Sequence, residues 1–452
     1  MGATISPLRY NLIIYLTGLV IFLLYIVIYA LVSVWLGKRS ITMPIFFIAV
    51  GALTGPYGFD WLNISITSGT VKVLVEITLA LLLFADSSTL KLHQLKRDAV
   101  LPSRLVGVAL PLVILLGGLL GFALFSKEGI GFALLVGAIL APTDAALGLP
   151  IFTNPRVPVR IRRALNVESG LNDGIATPFI TLFTALAVAE ETQKLAGWFS
   201  SALLDIAVAV LVGTALGMLG GWLFAVAMRH RLTSRATEQI GTLALALLIY
   251  FGSITLGGNG FIAAFVGGLF FSYSTRRRQH HTLEFTESTG TTLSLFVWTI
   301  FGSFLVIPLF TAFNPLALLY AVLSLTLIRM LPVALSLVGT HFRRDTQLLM
   351  GWLGPRGLAS VVFTIIAFES FYEISRPYQI LFSIAGWTIL LSVLLHGFSA
   401  LPLTRWYAHR LKTAPPSIPE LMDVPNLEPL QDRLSNVYRT PAPLTDPDQE
   451  PK

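Results

Sequence analysis

The stretch GFALLVGAILAPTDAALGLPIF, residues 131–152, is apolar and long enough to cross a membrane, yet two prolines flank the charged Asp144 in its middle. Proline removes a backbone donor and clashes with the preceding helical turn, so the pattern predicts an interrupted helix. A second stretch, LLMGWLGPRGLASVVFTIIAF, residues 348–368, places a proline and Arg356 between glycines. The chain therefore carries two apolar segments that are broken near their centres, one with an acid and one with a base.

The overall composition is that of a membrane protein. The chain has 452 residues, of which 54% are hydrophobic and only 12% are charged, whereas soluble domains carry about 25% charged residues. The net charge is +7, but the basic residues lie in short clusters between apolar runs, so topology explains them better than nucleic-acid binding. There is no cysteine, which excludes disulfides, thiol catalysis and cysteine-bound metals.

We count about thirteen segments of membrane-spanning character, because a span needs roughly 20 apolar residues. Their centres lie near residues 22, 48, 78, 112, 139, 176, 214, 247, 266, 300, 327, 358 and 390. Clusters of Lys and Arg follow the odd-numbered segments, and the other loops are nearly free of them. By the positive-inside rule this alternation predicts an N-terminus outside and a C-terminus in the cytoplasm.

The two broken segments occupy matching positions in the chain. The first is the fifth of segments 1–6, and the second is the fifth of segments 8–13. Segment 7 lies between the two halves, and because it adds a single span, the second half has the opposite orientation in the membrane. Interrupted helices at corresponding positions of inverted repeats indicate the midplane site of a secondary transporter. The alternative is that these prolines and glycines only kink ordinary membrane helices. We hypothesise that Asp144 faces the free amides of one break and Arg356 the free carbonyls of the other.

The motif NVESGLNDG, residues 166–174, places a carboxylate deep in segment 6. Asp173 lies ten residues after Arg163, about 15 Å along a helix, which is half of a hydrocarbon core of about 30 Å. Ser169 shares its helix face. Together with Thr143 at the first break, these side chains form an oxygen-rich cluster that suits a small hard cation.

The same carboxylate can hold a proton, so proton and cation would compete for Asp173 and their fluxes would be coupled. The structural alternative is a buried ion-pair partner, but intramembrane carboxylates are functional by default. Arg329 in segment 11 needs a buried anion, and Glu168 is its natural partner because Asp173 must stay free. Such a pair is costly to break from one side.

Three further polar residues lie within apolar segments. Glu76 and Asp86 of segment 3 are weaker candidates, each for an access path. The alternative for Glu76 is pairing within the helix bundle, and the alternative for Asp86 is a position at a helix end near the cytoplasm. His396 is the only histidine within an apolar segment, and we expect a structural role for it rather than a proton relay.

Five motifs together resemble the bacterial NhaP-type sodium/proton antiporters, relatives of the animal sodium/proton exchangers. They are APTDAALG (141–148), NPRVPVRIRRALNVESGLNDG (154–174), NGFIAAFVGGL (259–269), GPRGLAS (354–360) and LLHGFSALPL (394–403). Each motif alone is weak, but the combination of the first, second and fourth is specific. The likeness covers residues 10–410 and leaves out the C-terminal tail.

The resemblance implies an all-α antiporter of thirteen helices that forms a homodimer, with dimerisation helices and a six-helix core that moves in an elevator-like manner. It implies that Asp173 carries Na⁺ (or Li⁺ or K⁺) and H⁺ in turn, with Asp144, Ser169 and Thr143 completing the cation site and Asn172 beside it. The Asn-Asp pair Asn172–Asp173 is associated in this family with electroneutral one-for-one exchange. The resemblance makes Glu168 and Arg329 a structural pair and places Arg356 at the helix crossing. The resemblance also implies a place in the bacterial inner (plasma) membrane and a role in pH homeostasis. The expected partners are the lipid bilayer and the transported ions, with no cofactor and no nucleic acid.

The chain is expected to divide into a transmembrane exchanger domain, residues 1–410, and a proline-rich acidic tail, residues 411–452, that is disordered in the cytoplasm. Two other functions remain open at this point. An intramembrane aspartyl hydrolase would use Asp144 and Asp173 as facing acids, although the neighbouring neutral oxygens favour ion binding. An anion carrier with similar broken helices should not need acids in its site.

Overall fold

The computed structural model describes residues 7–62, 69–90, 100–144, 147–148, 151–152, 154–275, 280–374, 379–415 and 418–421. Within these ranges every regular element is a helix. The structure agrees with the all-α class expected from the sequence. Pro150, most of the tail and the basic residues after segments 3 and 9 lie outside the described ranges.

The described helices group into thirteen numbered segments, the same number that the hydropathy pattern predicts. The first six are α1 Pro7–Lys38, α2 Met43–Thr54, α3 Gly69–Thr89, α4 Val100–Leu124, α5 Ile130–Ile139 and α6 Val159–Glu191. The next four are α7 Trp198–Arg229, α8 Arg235–Thr255, α9 Gly260–Thr275 and α10, which runs from His280–Phe301 through a π-helical turn into Ile307–Thr311. The last three are α11 Pro315–Ser336, α12 in two halves (α12a Arg344–Trp352 and α12b Leu358–Glu373) and α13 Gln379–Lys412.

Most of these helices suit a bilayer. Eight are long and apolar enough to cross a membrane, and four shorter apolar helices accompany them: α2, α5, α9 and α12b. The remaining helix, α3, has 21 residues but carries Lys72, Glu76 and Asp86. Charges are rare in membrane helices unless they face the protein interior or an aqueous cavity, so α3 is the segment in which polar side chains need a specific explanation.

Both predicted helix interruptions are present. Helix α5 ends at Ile139, and residues 140–144 are not helical. The two halves of α12 are separated by residues 353–357, which are also not helical. Pro142 and Pro355 lie in these gaps, where each avoids the clash that proline makes inside a helix.

The helices pack in two groups. Helices α4–α6 pack among themselves and meet α11–α13, so both breaks lie in one group. In the other group, α3 packs against α9 and α10, and α9 packs against α7 and α8. The six-helix core and the dimerisation helices that the resemblance implies stay a prediction.

Close packing of α4 on α5 depends on glycine. A Cβ atom on Gly137 would lie 2.5 Å from the carbonyl oxygen of Ile114 and 2.6 Å from the amide nitrogen of Gly118. Such contacts with backbone atoms cannot be relieved by a side-chain rotation, so the two helices would have to separate.

We therefore expect Gly137→Ala to destabilise the protein by about 1–3 kcal/mol, the usual cost of overpacking. The measurement is the apparent melting temperature of the purified protein in detergent. Gly107→Ala in α4 is the matched control, because a Cβ there meets nothing within 4 Å. Equal melting temperatures for the two variants would contradict the close packing.

The start of the C-terminal tail differs from the predicted disorder. Helix α13 continues to Lys412, and Pro419–Leu421 form a 3₁₀ turn whose Glu420 is 1% exposed. The Glu420 carboxylate accepts hydrogen bonds from the Arg343 amide and the Thr346 hydroxyl, both at 2.8 Å. It thereby caps the N-terminus of α12a, where free amides favour an acid. The packed part of the chain thus extends beyond residue 410, and residues 422–452 lie outside the described ranges.

Candidate functional site

The two breaks cross each other through Asp144. Its amide donates to the Pro355 carbonyl at 2.8 Å, and its Oδ2 accepts from the Leu358 amide at 3.1 Å. Leu358 is the first residue of α12b, whose initial amides have no partner within the helix. The acid at one break therefore meets the amide end of the other broken helix, as the hypothesis from the sequence requires.

Arg356 makes the complementary contact. Its Nη1 donates to the carbonyl of Ala141 and, at 3.4 Å, to that of Pro142, both just beyond the end of α5. The arginine is 0% exposed. Its neighbour Gly357 allows the breaks to approach, because a Cβ there would overlap the Asp144 carboxylate. Each break thus supplies the charge that offsets the partial charges of the other.

Helix α6 is joined to the first break by two polar side chains. The Ser169 hydroxyl donates to the Thr143 carbonyl at 2.8 Å, and Asn172 Nδ2 donates to Thr143 Oγ1 at 2.6 Å. These bonds use the Asn172 nitrogen and leave its Oδ1 buried without a hydrogen-bond partner in the described part of the chain. A buried acceptor without a partner is unfavourable, so this oxygen is available to a bound cation or water.

Asp173 lies next to this network and is half-buried. Its backbone carbonyl accepts from the Thr177 hydroxyl at 2.7 Å. Among the described residues, none forms an ion pair or a side-chain hydrogen bond with its carboxylate. The charged groups that act on it are the carboxylates of Asp144 and Asp86. These three carboxylates make up an acid cluster, in which Asp86 is exposed.

Glu168 directly precedes Ser169 in the sequence, but it pairs with Arg329 and not with the first break. Its Oε1 lies 2.6 Å from Arg329 Nη2, and the two residues are 2% and 1% exposed. The structure therefore brings together the pair that the sequence analysis expects, and leaves Asp173 outside it. The break also packs on this arginine, because a Cβ on Gly354 would overlap the guanidinium.

Glu76 does not join the acid cluster. It precedes Asp86 by ten residues on α3, which is about 15 Å along a helix. It lies with Tyr250 and with Lys72, whose ammonium is 2.9 Å from Glu369 of α12b. Of the two predicted access-path residues, Asp86 is the one whose charge acts on Asp173.

Sequence reasoning missed several residues that hold the crossing. Ser360 donates to the Ile139 carbonyl at 2.8 Å, and Ser392 accepts from the Arg356 amide at 2.6 Å. Serine is common in membrane helices, so neither position stands out in the sequence. The one available indication that these residues act together was the spacing of Ser392 and His396, which are four residues apart within an apolar segment and therefore share a helix face.

Comparison with known proteins agrees with this geometry. The model of the family described as "Sodium/hydrogen exchanger, transmembrane" matches residues 19–406. The K(+)/H(+) antiporter NhaP of Alkalimonas amylolytica is 28% identical over 400 residues, covering 86% of this chain and 67% of the relative. The K(+)/H(+) antiporter NhaP2 of Shewanella sp. (strain ANA-3) is 26% identical, covering 80% of this chain and 62% of the relative. The chain thus spans 67% of the length of the first relative and 62% of the length of the second.

A solved structure has the same fold. The sodium proton antiporter MjNhaP1 from Methanocaldococcus jannaschii superposes with a TM-score of 0.72, covering 87% of this chain and 99% of that one. The two sequences are 21% identical, so this likeness concerns the arrangement of the helices.

Proposed function

Because the chain belongs to the transmembrane sodium/hydrogen exchanger family, we propose that it exchanges a monovalent cation for protons across a membrane. In this proposal the cation is the transported substrate and not a cofactor. The relatives named as antiporters support this assignment. The direction of exchange follows whichever ion gradient is steeper.

The observation that carries the proposal is the state of the Asp173 carboxylate. It is half-buried, lies outside the Glu168–Arg329 pair and faces the acids Asp144 and Asp86. A carboxylate among other acids is stabilised when it binds either a proton or a cation. The two ions therefore compete for one group, and a carrier that moves only when this group is occupied couples their fluxes.

The neutral oxygens beside Asp173 complete the proposed cation site. Asn172 Oδ1 has no partner in the described part of the chain, and the oxygens of Ser169 and Thr143 lie in the same network. Carboxylate, amide and hydroxyl oxygens are ligands that hard cations prefer. Asp144 contributes charge while it also holds the amide of Leu358.

The arrangement of charges supports alternating access. The acid cluster is exposed at Asp86, whereas the Lys72–Glu369 ion pair joins α3 to α12b towards the other end of α3. We assign the exposed end to the cytoplasm, because the basic loops predict that side. The α4–α6 and α11–α13 group would then move against the other helices in an elevator-like manner, within a homodimer whose N-termini lie outside.

The hydrolase alternative finds less support. Asp144 is engaged with the backbone of the opposite break, so it is not a free acid facing Asp173 across a substrate cleft. The relatives are named as antiporters. An anion carrier is disfavoured because the charges of two further carboxylates, Asp144 and Asp86, act on Asp173.

The test is ion exchange in everted membrane vesicles from cells that lack their own antiporters. The vesicles are acidified by respiration with a pH-sensitive dye inside, and chloride salts of sodium, lithium, potassium and choline are added in turn. We expect at least one alkali cation to restore fluorescence and choline to have no effect. Absence of a response to all three alkali cations would contradict the proposed function.

The same protein in proteoliposomes tests the stoichiometry. We propose one-for-one electroneutral exchange through the Asn172–Asp173 pair, so the rate should not depend on an imposed membrane potential and no sustained current should accompany it. A cation-driven current that disappears in Asp173→Asn would show that net charge moves.

A further inference from the structure

The break in α12 needs outside partners to keep its shape. Residues 353–357 form no helical turn, so their backbone groups have lost the partners that a helix would provide. Helix α13 runs beside the break and presents Ser392 and His396, which share a face because they are four residues apart. They are 0% and 1% exposed, so their polar atoms must bond within the protein.

These two side chains bridge both sides of the break. Ser392 Oγ accepts from the Arg356 amide at 2.6 Å, and His396 Nε2 lies 2.8 Å from the Trp352 carbonyl oxygen. Each imidazole nitrogen lies 2.8 Å from a backbone carbonyl oxygen, Nε2 from that of Trp352 and Nδ1 from that of Ser392, and a carbonyl oxygen only accepts. With the proton on Nε2, the ring donates to the Trp352 carbonyl and Nδ1 is left to accept from the Ser392 hydroxyl at 3.2 Å.

Trp352, the last residue of α12a, is fixed to α13 by its side chain as well. Its indole Nε1 donates to Ser399 Oγ at 2.9 Å, and its ring lies against His396 with a centroid distance of 5.0 Å. The end of α12a is therefore attached to α13 by two hydrogen bonds and a ring contact, independently of the charged groups at the crossing.

The connection to the ion site passes through one peptide group. The carbonyl of Pro355 and the amide of Arg356 belong to the same peptide plane. The carbonyl accepts from the Asp144 amide at 2.8 Å, while the amide donates to Ser392 at 2.6 Å. A peptide group is rigid and planar, so the bond to Ser392 fixes the direction in which the carbonyl meets Asp144.

We propose that Ser392 and His396 are positioning residues for cation binding, because they fix the Pro355–Arg356 peptide and through it the place of Asp144 beside Asp173. The proposal rests on the antiport function proposed above. Neither side chain touches the ion. Their loss should weaken cation binding while leaving the Asp173 carboxylate able to exchange protons.

The first test removes the serine hydroxyl. Ser392→Ala is expected to raise the apparent KM for the transported cation about tenfold, the effect of one lost buried hydrogen bond, with a maximal rate within about twofold of the wild type. The control is Thr388→Val, one turn earlier on α13. Thr388 is 0% exposed, but within the described ranges its hydroxyl bonds to the Ile384 carbonyl of its own helix, at 2.7 Å, and to no group of the break. Rates are measured in proteoliposomes and normalised to folded protein.

A matched pair at His396 separates positioning from simple packing. A glutamine places its amide nitrogen near the position of Nε2, whereas an asparagine reaches only as far as Nδ1. We expect His396→Gln to keep a KM close to that of the wild type and His396→Asn to raise it about tenfold.

The outcomes are separable. If the wild type exchanges ions but Ser392→Ala and His396→Asn keep its KM, the positioning role is wrong. It is also wrong if His396→Gln is as impaired as His396→Asn, or if all the variants simply fail to fold. A wild-type protein without cation-dependent proton flux would instead contradict the antiport function itself.

Discussion

Asp173→Asn is expected to reduce cation/proton exchange by about 100-fold or more, the usual cost of removing a positioned proton-transfer group. Asparagine keeps the size of the aspartate side chain and one of its oxygens. Its amide neither takes up a proton in the pH range in which a carboxylate does nor carries a negative charge to attract a cation. Folding should persist, because no described residue forms an ion pair with Asp173. Exchange is measured by dye dequenching in vesicles for each alkali cation.

The matched control is Asp205→Asn. Asp205 is a half-buried acid in α7, outside the candidate site. Its backbone carbonyl accepts a hydrogen bond from the backbone amide of Asn259 at 3.2 Å, and the substitution leaves that bond in place. The same chemical change there should leave exchange unaltered. An Asp173→Asn protein that keeps more than about a tenth of wild-type exchange would contradict the shared-carboxylate mechanism.

Cation binding can be followed without transport. A ligand that binds only the folded protein raises its melting temperature. We expect sodium or potassium chloride to stabilise the wild type relative to choline chloride, and to have no such effect on Asp173→Asn. A cation-dependent shift that survives in the variant would place the cation site elsewhere.

The second large effect is expected at the buried ion pair. Replacing either Glu168 or Arg329 with methionine leaves the other charge buried and unpaired, which costs about 3–5 kcal/mol. For the purified protein this corresponds to a fall of roughly 3–5 °C in apparent melting temperature. Exchange by the remaining folded protein should be less affected than in Asp173→Asn.

The double variant tests the pairing itself. Because removing both charges also removes the unpaired one, the double variant should lose no more stability than either single variant, which is a coupling of about 3 kcal/mol or more. Lys72→Met is the control, because the Lys72–Glu369 pair is about one-third exposed and such pairs contribute about 0–1 kcal/mol. Additive losses at Glu168 and Arg329 would show that the 2.6 Å contact does not stabilise the protein.

Much of the fold was predictable because membrane spans are a local property. Roughly 20 apolar residues cross the hydrocarbon core wherever the rest of the chain lies, so the thirteen segments could be counted from the sequence. The breaks were predictable for the same reason, since the effects of Pro142 and Pro355 act on their own helix. Asp173 was identifiable as a functional candidate because its depth follows from helix rise alone.

Which residues meet was decided by the tertiary structure. The Asp144–Leu358 and Arg356–Ala141 contacts join residues more than 200 positions apart. Charge complementarity suggested such contacts, but their atoms and directions depend on how two separate helices cross. The sequence likewise could not assign Asp86 to the acid cluster and Glu76 to a different group, because each assignment depends on which groups of other helices lie near the acid in the folded protein.

The sequence by itself therefore determined the number of helices, the position of their breaks and the few charges in apolar surroundings, because each follows from chain-local geometry and the free energy of burying a charge. Only the packed structure decided that Ser392 and His396 support the break, and that Glu420 folds back on α12a within a stretch whose composition predicts disorder. Hydrogen-bond partners of neutral side chains carry no sequence pattern, since a serine bonds to whichever backbone group the fold places next to it.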